Sequence, residues 1–162
     1  MAQVDYFLKL TDVKGESTDD KHSGEIELES WSLGASNAAS FSSGGGGGSG
    51  KVLLQDLVIA KKYCQASVPL FVGCATGKHF ASAVLVCRKA GEKQEEFLKI
   101  TLTDVLVSSY SSMGSAGSAV LPTDQVSLAF AKIEFAYKAQ KSDGSLGGEA
   151  VGGWDQKKNV KV

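Results

Sequence analysis

The strongest constraint in this chain is a hydrophobic alternation that changes parity in the middle of its extended segments. Residues 25–33 begin with Ile26 and Leu28 apolar on one side and Glu25, Glu27 and Glu29 polar on the other, and then Trp31 and Leu33 take the opposite parity. Period-two alternation marks a strand with one face in the core. A regular strand cannot bury both sets on one face, so a bulge or sharp bend is expected near Ser30. The same change recurs where Leu98, Ile100 and Leu102 give way to Val105 and Val107, and where Val126, Leu128 and Phe130 give way to Ile133, Phe135 and Tyr137. Long strands that bend in this way suit a sheet that closes, or nearly closes, on itself.

Other segments fill in the architecture. Tyr6 to Thr11, Val52 to Ala60 and the almost wholly apolar Ala83 to Arg88 read as further strands. Ser67 to Thr76 reads as a short helix, with Ser67 as N-cap, Pro69 in the first turn and Gly77 just past the end. The expected fold is therefore mainly β: one domain over residues 1–162, a barrel of two antiparallel sheets with one short α-helix alongside. A chain of 162 residues buries enough surface to fold without disulfides or metal. Three cysteines, Cys64, Cys74 and Cys87, have no C-x-x-C spacing and read as buried thiols.

Glycine is the compositional anomaly, with 19 residues against 2 prolines. Six lie in the tract Gly44, Gly45, Gly46, Gly47, Gly48, Ser49, Gly50, which predicts an extended loop over about residues 42–51. A second glycine-rich stretch, about residues 140–153, is expected to be flexible. Asp12 to Ser23, with its acidic Asp12, Glu16, Asp19 and Asp20, reads as a solvated turn.

The chemistry of known sites is mostly missing. Gly45 to Lys51 satisfies G-x-x-x-x-G-K, but a phosphate loop needs Ser or Thr next and then a helix, and here Val52 opens an extended run. A small-ligand or nucleotide-binding barrel using Gly45–Lys51 remains the alternative reading. His22 and His79 are the only histidines, and neither has ligands at a recognisable metal spacing; His79 is expected to meet the helix end or to pack. Serines cluster at Ser108 to Ser112 with no histidine or carboxylate tied to them. Neither an enzyme, a cofactor nor a metal is indicated. A net charge of −1 with a single arginine, Arg88, argues against nucleic acid. No apolar run approaches a membrane span and no signal peptide is evident, so synthesis in the cytosol and any export without a cleavable signal are expected.

Several features in order resemble the haemolysin-coregulated protein (Hcp) family, the inner-tube subunits of type VI secretion systems. They are Asp12-Val13-Lys14-Gly15-Glu16-Ser17; His22 and Glu25-Ile26 leading to Trp31-Ser32; the glycine tract to Lys51; Gln55-Asp56-Leu57; and Gly77-Lys78-His79-Phe80. Arg88-Lys89-Ala90-Gly91, Leu106-Val107-Ser108-Ser109, Phe130-Ala131 with Tyr137, and Gly153-Trp154 with Asn159 complete the series. The resemblance implies two sheets closing a barrel, a homohexameric ring, and rings stacked into a hollow tube. It further implies a contractile sheath around the tube, a spike of the VgrG type at its tip, and small effector proteins held in the lumen until the tube is expelled from the cell. It places Trp31-Ser32 on the lumen wall, which makes Ser32 a candidate cargo contact. It places Ser43, Gly44, Gly45, Gly46, Gly47, Gly48, Ser49 and Gly50 in a loop that contacts a neighbouring subunit or the next ring.

Overall fold

A computed structural model describes residues 3–38, 51–90, 93–117 and 120–162. The order is β1 (Val4–Leu10), β2 (Ile26–Leu28), β3 (Ser30–Ser32), β4 (Ala35–Asn37), β5 (Val52–Leu54), β6 (Leu57–Lys62), α1 (Ser67–Thr76), β7 (His79–Lys89), β8 (Glu96–Met113), β9 (Thr123–Gln140), β10 (Leu146–Asp155) and β11 (Val160–Lys161). The fold is mainly β with one short helix, as expected.

There are two sheets, as expected, but they are unequal, and among the described residues no ladder closes them into a barrel. One nine-stranded antiparallel sheet carries the path β11-β10-β9-β8-β7-β1-β2, with β6 bridging β9 and β3, and a separate two-stranded ribbon joins β4 and β5. The bend expected near Ser30 brings the sheet round on itself. β2 pairs with β1, the chain breaks at Glu29, and β3 pairs with β6. The Glu29 N–H donates to the Ala60 carbonyl at 2.8 Å across this seam. The seam is spanned by chain continuity rather than by an unbroken ladder.

The other parity changes share one line. Above it the buried residues are Phe80 on β7, Val105 and Val107 on β8, and Val126, Leu128 and Phe130 on β9; below it they are Ala83, Leu85 and Cys87, Ile100 and Leu102, and Ile133. The registers Phe80↔Val105 and Ser82↔Thr103, with Thr103↔Lys132 and Val105↔Phe130, put Ala81, Asp104 and Ala131 on a single rung. All three strands therefore turn over together and the ladders keep register. Asp104 takes a φ of 55°, left-handed backbone that re-aims the following side chains. The one true bulge in the β8/β9 ladder lies between Val107 and Ser109.

Other expectations change once the neighbours are in place. The run from Val52 breaks at Gln55-Asp56 into β5 and β6, which pair with different strands. Ser67 does not cap α1 with its side chain: the N-cap is Ala66, while Gly77 closes the C-terminal end with a φ of 68°. The stretch 140–153 contains most of β10, which runs against β9. A Cβ on Gly153 would stand 2.3 Å from the Ile133 carbonyl oxygen, so this glycine admits a close strand approach.

Residues 12–24 form a strap rather than a solvated turn. Val13, Ser17 and His22 are buried: Val13 joins the main core, while His22 covers Phe7, which with Val86 is buried outside that core. The His22 ring stacks on Phe7 at 4.4 Å, and its two nitrogens lie 2.6 Å from Glu25 and 2.8 Å from Glu96. Arg88 lies over the Phe7 ring at 4.8 Å and donates to both oxygens of Asp19, at 2.9 and 2.7 Å. Glu16 accepts from the Gln65 N–H at 2.8 Å. Glu16 and Asp19 are thus fixing points, which composition alone disguises.

Arg88 holds the Asp19 carboxyl down at about 2, against an ordinary value near 3.8. A carboxyl held low in the fold stabilises it above the unfolded value, and that stabilisation is lost as pH falls. The strap should therefore loosen between about pH 4 and pH 2. Hydrogen exchange over residues 12–24 checks this, and Asp19→Asn should abolish the pH step; a strap equally protected at both ends of that range would contradict it.

Candidate functional site

Trp31 fixes the orientation of β3. Its ring meets Tyr6 edge-on at 6.4 Å and packs against the core. Burial pushes the Cys87 thiol up to about 11. With Trp31 turned inward, Ser32 faces out and is exposed, as the parity argument requires.

The registers extend this outward face across four strands. Ser30 and Ser32 lie opposite Ala60 and Val58; those lie opposite Gln125 and Ser127; and those in turn lie opposite Ser111 and Ser109. Residues directly opposite share a face. The β3-β6-β9-β8 sheet thus presents a field of small residues, mostly hydroxyl-bearing, with no charged side chain among these eight. Ser108, in the bulge, donates to Asp56 at 2.5 Å and ties β8 to the β5/β6 break.

Both margins of this four-stranded sheet are open among the described residues. β3 pairs only with β6. On β8, pairing with β7 ends at Leu106, so Val107 to Met113 has β9 on one side and no strand on the other. The β4/β5 ribbon prolongs the β3/β6 hairpin past Ser32 and Val58, with Ala35 opposite Leu54. Its ends, Asn37 and Val52, are joined by the segment that contains the glycine tract, and Ser43, Gly44, Gly45, Gly46, Gly47, Gly48, Ser49 and Gly50 lie outside the described residues.

The alternatives find little footing. Val52–Leu54 is strand β5, where a phosphate loop requires a helix. Among the described residues no three His, Cys, Asp or Glu side chains are grouped to hold a metal ion. His79 meets neither the helix end nor the core: its Nδ1 lies 2.7 Å from Asp104, which also accepts from Lys157 at 2.6 Å. Cys64, Cys74 and Cys87 are free thiols, with only Cys87 fully buried. Among the described residues no helix is long and apolar enough to cross a membrane.

The family model described as type VI secretion system effector, Hcp, matches residues 7–137. The chain belongs to the Hcp family. Protein hcp1 of Pseudomonas aeruginosa is 47% identical to it over 161 residues, 98% of this chain and 99% of that protein. A solved structure described as a type six secretion system protein superposes with a TM-score of 0.94 at 31% identity, covering 99% of this chain and all of the other. Hcp1 from Salmonella typhimurium gives a TM-score of 0.80 at 34% identity, with both chains fully covered. Hcp is a family of structural, secreted type VI proteins rather than a family of enzymes.

Two features of this Hcp chain escaped the sequence reading. The first is a buried ion pair. Lys61 and Asp124 are wholly buried with their side-chain charges 2.7 Å apart. Ser67 lies between them, accepting from Lys61 at 2.7 Å and donating to Asp124, and Ser112 donates to Asp124 at 2.6 Å. This network pins the start of α1 to three strands of the serine-faced sheet. Burial alone would push Asp124 up, but the bonds from Lys61, Ser112 and Ser67 hold it below the usual carboxylate value. The second feature is the outward side of α1, where Val68, Phe71 and Val72 are 57%, 58% and 48% exposed. The available signal was the absence of any charge from Ser67 to Gly77, which is unusual for a helix with a free face.

Proposed function

We propose that this Hcp chain is the ring-forming subunit of a type VI secretion tube. It assembles as a homohexamer, the rings stack into a hollow tube capped by a VgrG-type spike, and contraction of a surrounding sheath expels the tube. Small effector proteins ride in the lumen. The subunit leaves the cell with the tube. The observation that carries this reading is the four-stranded sheet with a small-hydroxyl face and two open margins. An exposed sheet edge is normally blunted or covered, because its unpaired N–H and C=O groups recruit other strands. A ring covers both margins at once by placing one margin of each copy against the opposite margin of the next. The serine face then lines the channel, and Ser32 is a cargo contact within it. The glycine tract, Ser43 to Gly50, serves as the contact to the neighbouring subunit or the next ring. Ordering such a loop costs about 1–2 kcal/mol per residue, a cost that repeated contacts along a stacked tube can offset.

Size-exclusion chromatography with light scattering, paired with negative-stain imaging, tests the proposal. Hexameric rings with a central hole are expected, and a stable monomer at micromolar concentration would overturn it. Deleting residues 43–50 should leave the circular dichroism intact and abolish stacking. Ser32→Glu should leave the ring intact and lower retention of a co-expressed effector; unchanged retention removes Ser32 from the site.

A further inference from the structure

Two basic side chains meet at the Phe7 ring, and each is faced by two carboxylates. Arg88 lies 4.8 Å from the ring and bonds Asp19 and Asp5 at 2.7 and 3.3 Å. His22 stacks on the ring at 4.4 Å, with Nδ1 2.6 Å from Glu25 and Nε2 2.8 Å from Glu96. The arginine is permanently charged. The state of the histidine follows from a count of its hydrogen bonds.

An ionised carboxylate only accepts hydrogen bonds, and a neutral imidazole carries a single N–H. Neutral His22 would satisfy one glutamate and turn a nitrogen lone pair on the other at bonding distance. The His22 and Glu25 side chains are only 7% and 13% exposed, so little water reaches either to make up the missing bond. Of the groups able to carry the second proton, imidazole is the stronger base, at about 6.5 against about 4.3 for an ordinary glutamate. Other charges stand nearby. Asp19 accepts the His22 backbone N–H at 3.2 Å but is engaged by Arg88. Glu27 lies opposite Phe7, Arg88 lies opposite Glu96, and Lys21 is exposed. The Arg88 charge opposes a second cation at this ring, and its own two carboxylates offset it.

We infer that His22 is a proton-dependent clasp: as imidazolium it ties the strap to Glu25, which leads into β2, and to Glu96 at the start of β8, and it releases that end of the strap when the second proton leaves. A base whose charged form is held by the fold contributes fully below its ordinary value and loses that contribution as the pH rises. The Arg88–Asp19 end of the strap opens in acid, for the opposite reason. The strap is therefore fastened at both ends only between the two proton losses.

Nitrogen NMR of the His22 ring tests this, read together with hydrogen exchange over residues 12–24 corrected for the intrinsic effect of pH. At about pH 6 both ring nitrogens should carry a proton, and between about pH 6 and about pH 9 the loss of one should coincide with at least about tenfold weaker protection of the strap amides. Glu96→Gln should remove that step, because the introduced amide can donate to an unprotonated Nε2 while the Nδ1–H stays with Glu25. The Glu96 side chain is 42% exposed, so the variant should fold, and the ring spectrum of the unmodified chain decides the matter without it. A ring with a single N–H beneath a protected strap at the lower pH would overturn the inference. So would a strap equally protected at both ends of the range, or a step that survives Glu96→Gln.

Discussion

Lys61→Met should cost about 3–5 kcal/mol, a large part of the roughly 5–15 kcal/mol that holds a domain of this size together. The reason is what the change leaves behind. Lys61 and Asp124 are both wholly inaccessible. Methionine fills most of the lysine's space, but it cannot donate, so Asp124 would keep a buried negative charge with only Ser67 and Ser112 to satisfy it. The double variant Lys61→Met, Asp124→Leu should recover to within about 2 kcal/mol of the unmodified chain, because replacing both members of a buried pair removes the charge as well as the bond. Urea midpoints of the single and double variants measure this directly. A neutral single variant, or a double variant no better than the single, would show that the pair does not hold the sheet to α1. The pair should also respond to acid. Asp124 is held below its usual value, so its stabilising contribution is complete at neutral pH and is lost as the pH falls through the lowered value.

Gly15→Ala is the second large expected loss, about 3 kcal/mol, at the upper end for overpacking. A Cβ on Gly15 would stand 2.3 Å from the Glu25 carbonyl oxygen and 2.7 Å from the Ile26 Cα. These are backbone atoms, held by the Gly15 N–H to Gly24 carbonyl bond at 2.8 Å and the Ser17 N–H to Glu25 carbonyl bond at 3.0 Å. No side chain can swing aside to make room, so the strap must move away from Glu25-Ile26 at the start of β2 or the chain must absorb the clash. Gly24→Ala is the internal comparison: its Cβ meets open space, and only its φ of +75° is unfavourable, so a loss of about 1–2 kcal/mol is expected. Equal losses at the two glycines would refute the account based on space. Increased hydrogen exchange over residues 12–24 in Gly15→Ala alone would support it.

Much of the fold was legible because alternation and its parity report directly which side of a strand is apolar. The break at Glu29, the outward Ser32 and the turning-over of β8 and β9 all follow from that. The helix boundaries were legible because Gly77 supplies a left-handed residue where the chain must leave the helix. The role of Ser67 is not legible locally, because a serine before an apolar helix has the same signature whether its hydroxyl bonds the helix backbone or, as here, a carboxylate from another strand. Glycine weakens a strand in isolation, so the stretch 140–153 carries the local signature of a flexible segment. Gly153 instead lets β10 lie close to the Ile133 carbonyl.

The sequence by itself determined the β class, the bend points, the helix and the ordered motifs of the Hcp family. All of these depend on neighbouring residues or on short spacings along the chain. Only the tertiary structure decided which strands pair, and with that the serine face and its two open margins. A strand's alternation says which side is buried and nothing about which strand lies beside it. The burial of Lys61 was equally undecidable from the chain, because a lysine can enter a core only beside a matching charge, and its partner Asp124 stands 63 residues away.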